Sequence, residues 1–318
     1  MLKTPDVGAL LQGELGVWLE SQKELREETQ RKIRKTTIIC LAVTLVALAI
    51  AVGAKASGTI IIIVIMFGIV GWGGWTEMLR RPVIASIKEK MNNAIAAALG
   101  VSYSSHHRPG DEWPLLREFD LLPSYDEEEH EDNWHGQIGP YAFNLYETYL
   151  HEWKNSGKER RRELVFHGII ITIGYGRPFS GTTLVEQKGT RFKFFGLRDT
   201  VAGHNVTLKR AHFTHPDLEE RFDLWASDPV EAQYLVHPIY IERLIAVGRK
   251  YAGNDIRALF HKGRVHIVME TKAQFESGSL RADQDMQRLH QTVEQFMSIA
   301  QLADSLYDEP GKVQMPIA

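Results

Sequence analysis

The chain contains little cysteine and little net charge. Its one cysteine among 318 residues is Cys40, which lies within an apolar run. An intramolecular disulfide and a zinc site built from cysteines are therefore both excluded. The formal net charge is −3, so no overall basic field would attract nucleic acid. A soluble part without disulfides is typical of a reducing compartment.

Two stretches lack charged side chains altogether. Residues 36–54 read TTIICLAVTLVALAIAVGA, and residues 58–75 read GTIIIIVIMFGIVGWGGW. Crossing about 30 Å of hydrocarbon takes about 20 apolar residues in a helix. Buried helices of a soluble core normally carry a polar stripe instead. Only three residues separate the two runs, so we expect a two-helix transmembrane hairpin over residues 36–75, with the lipid bilayer as its partner.

Basic residues flank this hairpin. The loop between the runs contributes only Lys55, whereas the outer flanks contribute Arg31, Lys32, Arg34, Lys35, Arg80 and Arg81. Because Lys and Arg close to the ends of a span resist translocation, both chain ends are expected in the cytoplasm. Gly68 and Gly71 are expected to let the two helices approach closely.

The rest of the chain divides into four parts. We expect an amphipathic helix over residues 1–35, a linker-helix segment over 76–100, an α+β cytoplasmic domain over 101–308 and a flexible tail over 309–318. Within the linker segment, Pro82 is expected to start the helix. Runs of strand-like segments with helices that do not alternate one for one favour the α+β class. In the linker, Ile87, Met91 and Ile95 share one helical face and Gly100 is a stop signal.

Two charged segments of the domain are interpreted as surface features. The acidic run DEEEHED, residues 126–132, is expected in a solvated loop, because clustered carboxylates repel one another unless a cation or a basic group fixes them. The basic run KERRRE, residues 158–163, is expected in a solvated turn before a strand that starts at Leu164. Contact with anionic lipid headgroups is the alternative for this run.

Several segments, in order, resemble one family. They are FDLLPSYDEEEHEDNWHGQIG, LVFHGIIITIGYGRPFSGTTLVEQKG, PDLEERFDLWASDPVEAQYLVHPIYIERL and VHIVMETKAQFESGSL. Together with the preceding hairpin they resemble the bacterial membrane-protein family catalogued as domain of unknown function 3137. The chain has Leu218 where that family tends to an aromatic residue, and His237 before Pro238 where it tends to Thr. The resemblance implies a bacterial inner-membrane protein and implies no particular activity.

A glycine pair after a strand-like segment has the spacing of a phosphate-binding loop. It reads GRPFSGTT from Gly176 to Thr183. A P-loop places Lys directly after its second glycine, where this chain has Thr182. A tight turn between two strands is the favoured interpretation.

The histidines offer the candidate metal ligands. His204, His212 and His215 lie within a dozen residues, beside Asp217 and Glu219, and three imidazoles could occupy a zinc coordination sphere. The segment lacks the helical His-Glu-x-x-His spacing, so we predict no metal and no cofactor. The pairs His130/His135 and His106/His107 are weaker candidates still.

No arrangement typical of a catalytic site emerges. A Gly-x-Ser-x-Gly elbow is absent from the sequence. Asp228 and Glu231 form an acid pair, which helix capping explains better than acid-base catalysis. The sequence therefore favours a non-enzymatic, membrane-anchored binding or scaffold module with a protein partner or a second copy of itself. The alternative is a ligand- or metal-responsive, possibly enzymatic, domain that uses the histidines.

Overall fold

A computed structural model describes residues 4–156, 159–176, 179–189, 200–202, 206–213, 216–272 and 274–306. The described chain forms two compact units. One contains Asp6–Ile95 with Glu276–His290, and the other contains Ala96–Phe275 with residues 291–306.

The first unit is helical. Its helices in chain order are α1 (Val7–Gln12), α2 (Glu14–Ser21), α3 (Lys23–Gly53) and α4 (Gly58–Leu99). The single helix expected over residues 1–35 is therefore broken at Gly13 and at Gln22. As expected, the charged segment continues without interruption into the first apolar run. Both α3 and α4 are long and apolar enough to cross a membrane.

The apolar halves of α3 and α4 pack against each other. Trp72 Nε1 donates a hydrogen bond to Thr37 Oγ1 at 2.9 Å. A Cβ at Gly68 would lie 2.4 Å from Thr44 Oγ1, so glycine is needed there for this close approach. A Cβ at Gly71 would meet nothing within 4 Å. The close approach predicted for the two glycines therefore holds for Gly68 and is wrong for Gly71.

The expected helix start at Pro82 is wrong. Pro82 lies inside α4, which runs unbroken to Leu99, and Gly100 follows with a left-handed φ of 72°. A segment of the same unit packs on the end of this helix: Ser277 Oγ donates to Asn92 Oδ1 at 2.7 Å, and Lys88 Nζ lies 2.7 Å from Glu276 Oε1. The predicted apolar face is buried, with Ile87, Met91 and Ile95 at most 1% exposed.

The second unit is built on a ten-stranded sheet. Its strands are β1 (Ser102–His106), β2 (Glu127–Ile138), β3 (Tyr141–Ser156), β4 (Glu159–Gly174), β5 (Thr183–Gln187), β6 (Thr200–Ala202), β7 (Thr207–Ala211), β8 (Phe222–Ala226), β9 (Asn254–His261) and β10 (Arg264–Glu270). Their order across the sheet is β1-β2-β3-β4-β10-β9-β5-β8-β7-β6. Every neighbouring pair is antiparallel.

Helices complete the mixed architecture. They are α5 (Glu112–Glu118), α6 (Pro216–Arg221), α7 (Pro229–Leu235), α8 (Pro238–Lys250) and α9 (Asp285–Ser305), the last preceded by a 3-10 turn, Ala282–Gln284. The predicted break between α7 and α8 is confirmed, because the imidazole of His237 accepts from Tyr240 N at 3.3 Å and caps α8. His237 thus supplies the cap that a Thr would supply at this position. The α+β class is confirmed as mixed helix and antiparallel sheet.

The alternation of β3 assigns its side chains to two buried faces. Tyr146 and Leu150 belong to an apolar cluster with Trp113 and Leu116 of α5. Phe143 faces the other way, where its ring centroid lies 5.4 Å from that of Phe296 on α9.

The loop expected for the acidic run and the turn expected for the basic run are both wrong. Glu127 to Asp132 lie in β2, and Glu159 to Glu163 lie in β4 rather than in a turn. Arg162 reaches across the intervening strand to Glu127, with Nε 2.8 Å from Oε2, and it also pairs with Glu129. An arginine two strands away thus supplies a counterion that the acidic run lacks within its own segment.

Candidate functional site

Of the three histidines considered as candidate metal ligands, only His212 lies in the part of the chain that the structure describes. His212 is exposed, and its Nδ1 lies 2.7 Å from Glu219 Oε1. This hydrogen bond lowers the pKa of the Glu219 carboxyl. His204 and His215 lie outside the described residues. The structure therefore places His212 in an exposed hydrogen bond with Glu219.

The loop with phosphate-type spacing is held by its own chain. Glu231 accepts hydrogen bonds from Ser180 N at 3.0 Å and from Gly181 N at 2.7 Å. A carboxylate thus occupies the backbone N–H groups that a phosphate would use. Asp228 Oδ1 accepts from Val230 N at 2.9 Å and caps α7, as predicted.

A cluster of three carboxylates, two of them buried, includes the end of the run that the sequence assigned to a surface loop. Oxygens of Glu131, Asp132 and Glu147 lie within 4.8 Å of one another. Asp132 adopts a left-handed φ of 53° at the irregularity between Glu131 and Trp134, where β2 shifts register against β3. The bulge turns the Asp132 side chain into the interior, where the residue is 1% exposed.

Glu147 is the centre of this cluster and is itself fully buried. Its Oε1 lies 2.5 Å from His167 Nε2 and accepts from Tyr149 OH at 3.2 Å. The backbone N–H of Gln274 donates to both of its oxygens at 3.3 Å. One signal in the sequence could have found it: Glu147 continues the inward positions Phe143 and Leu145 of an otherwise apolar strand face.

Hydrogen bonds to neighbouring side chains hold these acids. Tyr103 OH donates to Asp132 Oδ1 at 2.5 Å, and the ring of Tyr149 stacks on His167 with centroids 4.0 Å apart. Burial, with Glu147 and Glu131 nearby, raises the pKa of Tyr149, so its hydroxyl stays protonated and donates. Carboxylates so close together are also the ligand type that hard cations prefer.

A second polar cluster lies on the opposite face of β3. Tyr146 OH donates to Glu112 Oε1 at 3.1 Å, and the rings of His107 and His130 lie 4.1 and 5.7 Å from the Tyr146 ring. Burial lowers the pKa of His107 to about 4, and it lowers the pKa of His130 as well. In each of the two weaker histidine pairs, one member is partly buried in this cluster, whereas the other, His106 or His135, is exposed. The cluster thus places two imidazoles of lowered pKa beside the carboxylates of Glu112 and Glu128.

The predicted membrane-flanking cations are largely exposed and partly paired. The carboxylate of Glu77 lies 2.8 Å from Arg80 Nη2 and 3.1 Å from Arg81 Nε. On the other flank, Lys32 Nζ lies 2.8 Å from Glu28 Oε1. The six cations outnumber the acidic residues beside them, so the net charge of the flanks is positive.

These features define a class of protein: an α+β domain preceded by two long apolar helices. A family model matches part of this domain. Residues 164–307 match the family described as "Protein of unknown function (DUF3137)". The resemblance predicted from the sequence is confirmed over this stretch.

One solved structure is distantly similar. The crystal structure of the mycobacterial trehalose monomycolate transport factor A, TtfA, aligns over 66% of this chain and 95% of its own, with 8% identity and a TM-score of 0.33. No curated protein matches its sequence.

Proposed function

We propose that this chain is a membrane-anchored binding or scaffold module. The hairpin of α3 and α4 spans a bacterial inner membrane, and both chain ends lie in the cytoplasm with the α+β domain. The main support for a membrane anchor is that the two helices are exposed. In the most apolar 18-residue stretch of each helix, only 6% and 0% of the residues are buried. The mean hydropathies of these two stretches are 2.5 and 2.0.

The energetic argument rests on individual side chains. Ile62, Phe67 and Val70 are 62%, 76% and 67% exposed. Moving each such side chain from water into an apolar environment gains about 1.5–3 kcal/mol. Exposure of this kind, repeated along both helices, is stable only if lipid replaces water around them. The flanking Arg and Lys residues support the cytoplasmic orientation.

An exposed apolar pair supports a partner-binding role for the domain. Val230 and Tyr234 are four residues apart on one face of α7, and each is 65% exposed. Ile239, at the start of α8, is 42% exposed. Substituting Val230→Asp and Tyr234→Asp should abolish self-association or partner capture in crosslinking from membranes. The matched control is Glu242→Ala, on the exposed surface of α8.

The carboxylate cluster favours one alternative, a cation-responsive domain. The proximity of Glu131, Asp132 and Glu147 is the specific observation. Elemental analysis of the purified full chain would decide between the two functions. A stoichiometric divalent cation that is lost in Glu131→Gln would replace the scaffold proposal with this alternative.

Cysteine labelling tests the topology directly, because Cys40 is the only native cysteine. In a Cys40→Ala background, Ser57→Cys should react with an impermeant maleimide added to intact cells. Glu20→Cys and Glu242→Cys should react only after the cells are opened, and the protein should stay in the pellet during alkaline carbonate extraction. Labelling of Glu20→Cys and Glu242→Cys from opposite sides, or release by carbonate, would contradict the anchor.

A further inference from the structure

A basic groove opens on the α+β unit, away from both polar clusters. It lies where β5 ends, β8 begins and α8 turns into β9, and its volume is about 610 Å³. Ligand pockets in proteins typically measure about 300–1,000 Å³. Its charged lining consists of Lys188, Arg221, Arg249 and Glu220, so three cations stand against one carboxylate in a chain whose net charge is negative.

Arg221 and Arg249 are the two cations of the groove that can contact a bound anion. Within the described chain, neither Arg221 nor Arg249 forms an ion pair, and both are exposed. Lys188 differs from them, because its Nζ contacts the carbonyl oxygen of Glu219 and lies 3.7 Å from Asp223 Oδ1. The backbone fixes the edge that carries Arg221, since Lys188 N donates to Arg221 O at 2.8 Å.

Backbone hydrogen bonds satisfy carbonyl oxygens at the end of α8. A helix C-terminus ordinarily presents unsatisfied carbonyl oxygens and a partial negative charge. Here the N–H groups of Tyr251, Ala252 and Gly253 donate to the carbonyls of residues 247, 249 and 248 at 3.0, 3.2 and 2.7 Å. This turn holds Ala252 at a left-handed φ of 48°, a conformation that residues other than glycine rarely adopt.

We propose that this groove binds an anion that carries phosphate groups. The guanidinium groups of Arg221 and Arg249 form the primary contacts, because a guanidinium matches two phosphate oxygens at once. The side-chain amide of Asn254 and the alkyl side chain of Ile245 complete a lining that is part polar and part apolar. Such a lining fits a small phosphorylated molecule or the headgroup of a phospholipid, which present the same chemistry.

Calorimetry on the full chain in nanodiscs tests the proposal and distinguishes the two sources. One arm titrates inorganic pyrophosphate into nanodiscs of phosphatidylcholine. The other titrates vesicles of phosphatidylcholine, with and without phosphatidylglycerol, into the same nanodiscs. The groove variant is Arg221→Gln with Arg249→Gln. The control, Lys209→Gln with Arg243→Gln, removes two exposed cations outside the groove.

We expect saturable 1:1 binding that weakens at least tenfold in the groove variant and less than twofold in the control. Pyrophosphate binding with this pattern indicates a soluble ligand, and binding confined to phosphatidylglycerol vesicles indicates a headgroup. Equal loss in the two variants, or no saturable binding in either arm, would overturn the proposal. The melting temperatures of both variants should match that of the wild type, so a folding defect is recognised separately. Carbonate extraction is unaffected by these substitutions, which keeps this test independent of the anchor.

Discussion

At the residue scale, the most informative side chains are histidines that the fold keeps neutral. His266 lies on β10 and is 2% exposed. Its Nδ1 lies 3.0 Å from Thr172 Oγ1 on the neighbouring strand. Burial lowers the pKa of His266 to about 4, with the charge of Arg264 acting in the same direction and Glu112 opposing it.

This shift predicts acid sensitivity of the domain. The unfolded chain has a histidine pKa of about 6.5, so between pH 6.5 and 4 the unfolded state binds more protons than the folded state. Stability is therefore retained above pH 6.5 and falls as the pH drops through this window. From pH 6.5 to 5, His266 alone should cost about 2 kcal/mol of unfolding free energy.

Urea unfolding of the full chain in detergent at pH 7 and pH 5 measures this cost. His266→Gln should reduce the difference between the two pH values by about the same 2 kcal/mol. His290→Gln, at an exposed position on α9, should leave it unchanged. An unaltered pH dependence in His266→Gln would show that another group controls acid stability.

At the element scale, a buried ion pair ties α3 to the first residue of α9. Arg26 Nη1 lies 2.7 Å from Asp285 Oδ2, with the side chains 2% and 9% exposed. Within the described chain, Arg26 Nε, Arg26 Nη2 and Asp285 Oδ1 have no hydrogen-bond partner. Burial raises the pKa of Asp285 although Arg26 opposes that shift. The desolvation of this pair is thus only partly offset by its attraction.

Such a pair predicts an asymmetric mutational response. Arg26→Met leaves Asp285 buried without its cation and should destabilise this unit by about 3–5 kcal/mol. Arg26→Met combined with Asp285→Leu removes both buried charges and should recover most of the loss. Urea unfolding measures both variants, with Lys23→Met, at an exposed position one turn earlier, as the control. A double variant no more stable than Arg26→Met would mean that the charges contribute net stability together.

At the scale of the whole molecule, the flanking charges are expected to orient the hairpin. Replacing Arg80 and Arg81 with Gln should leave the orientation intact, because Arg31, Lys32, Arg34 and Lys35 still flank the first span. Replacing all six with Gln and adding lysines beside Lys55 should invert a substantial fraction of molecules. The maleimide assay at Ser57→Cys reports that fraction. Complete retention of orientation in the six-fold variant would instead favour folding of the large C-terminal part before insertion.

The sequence by itself determined the features that depend on neighbouring residues. Two charge-free runs, the cap at Asp228, the break at His237 and the stop at Gly100 are local signals, and the structure contains each of them. The helical period of Ile87, Met91 and Ile95 likewise predicted a buried face, because positions three or four residues apart share one side of a helix.

Only the tertiary structure decided what depends on distant partners. The acidic run became a strand because Arg162 of β4 supplies its counterions, and Glu147 became buried because His167 and the Gln274 backbone satisfy it. Pro82 stayed inside α4, where the sequence alone favoured a helix start. The basic groove joins residues 188, 221 and 249, which no local spacing relates. Long-range pairing sets these environments, and a single sequence records composition and period but not which strands become neighbours.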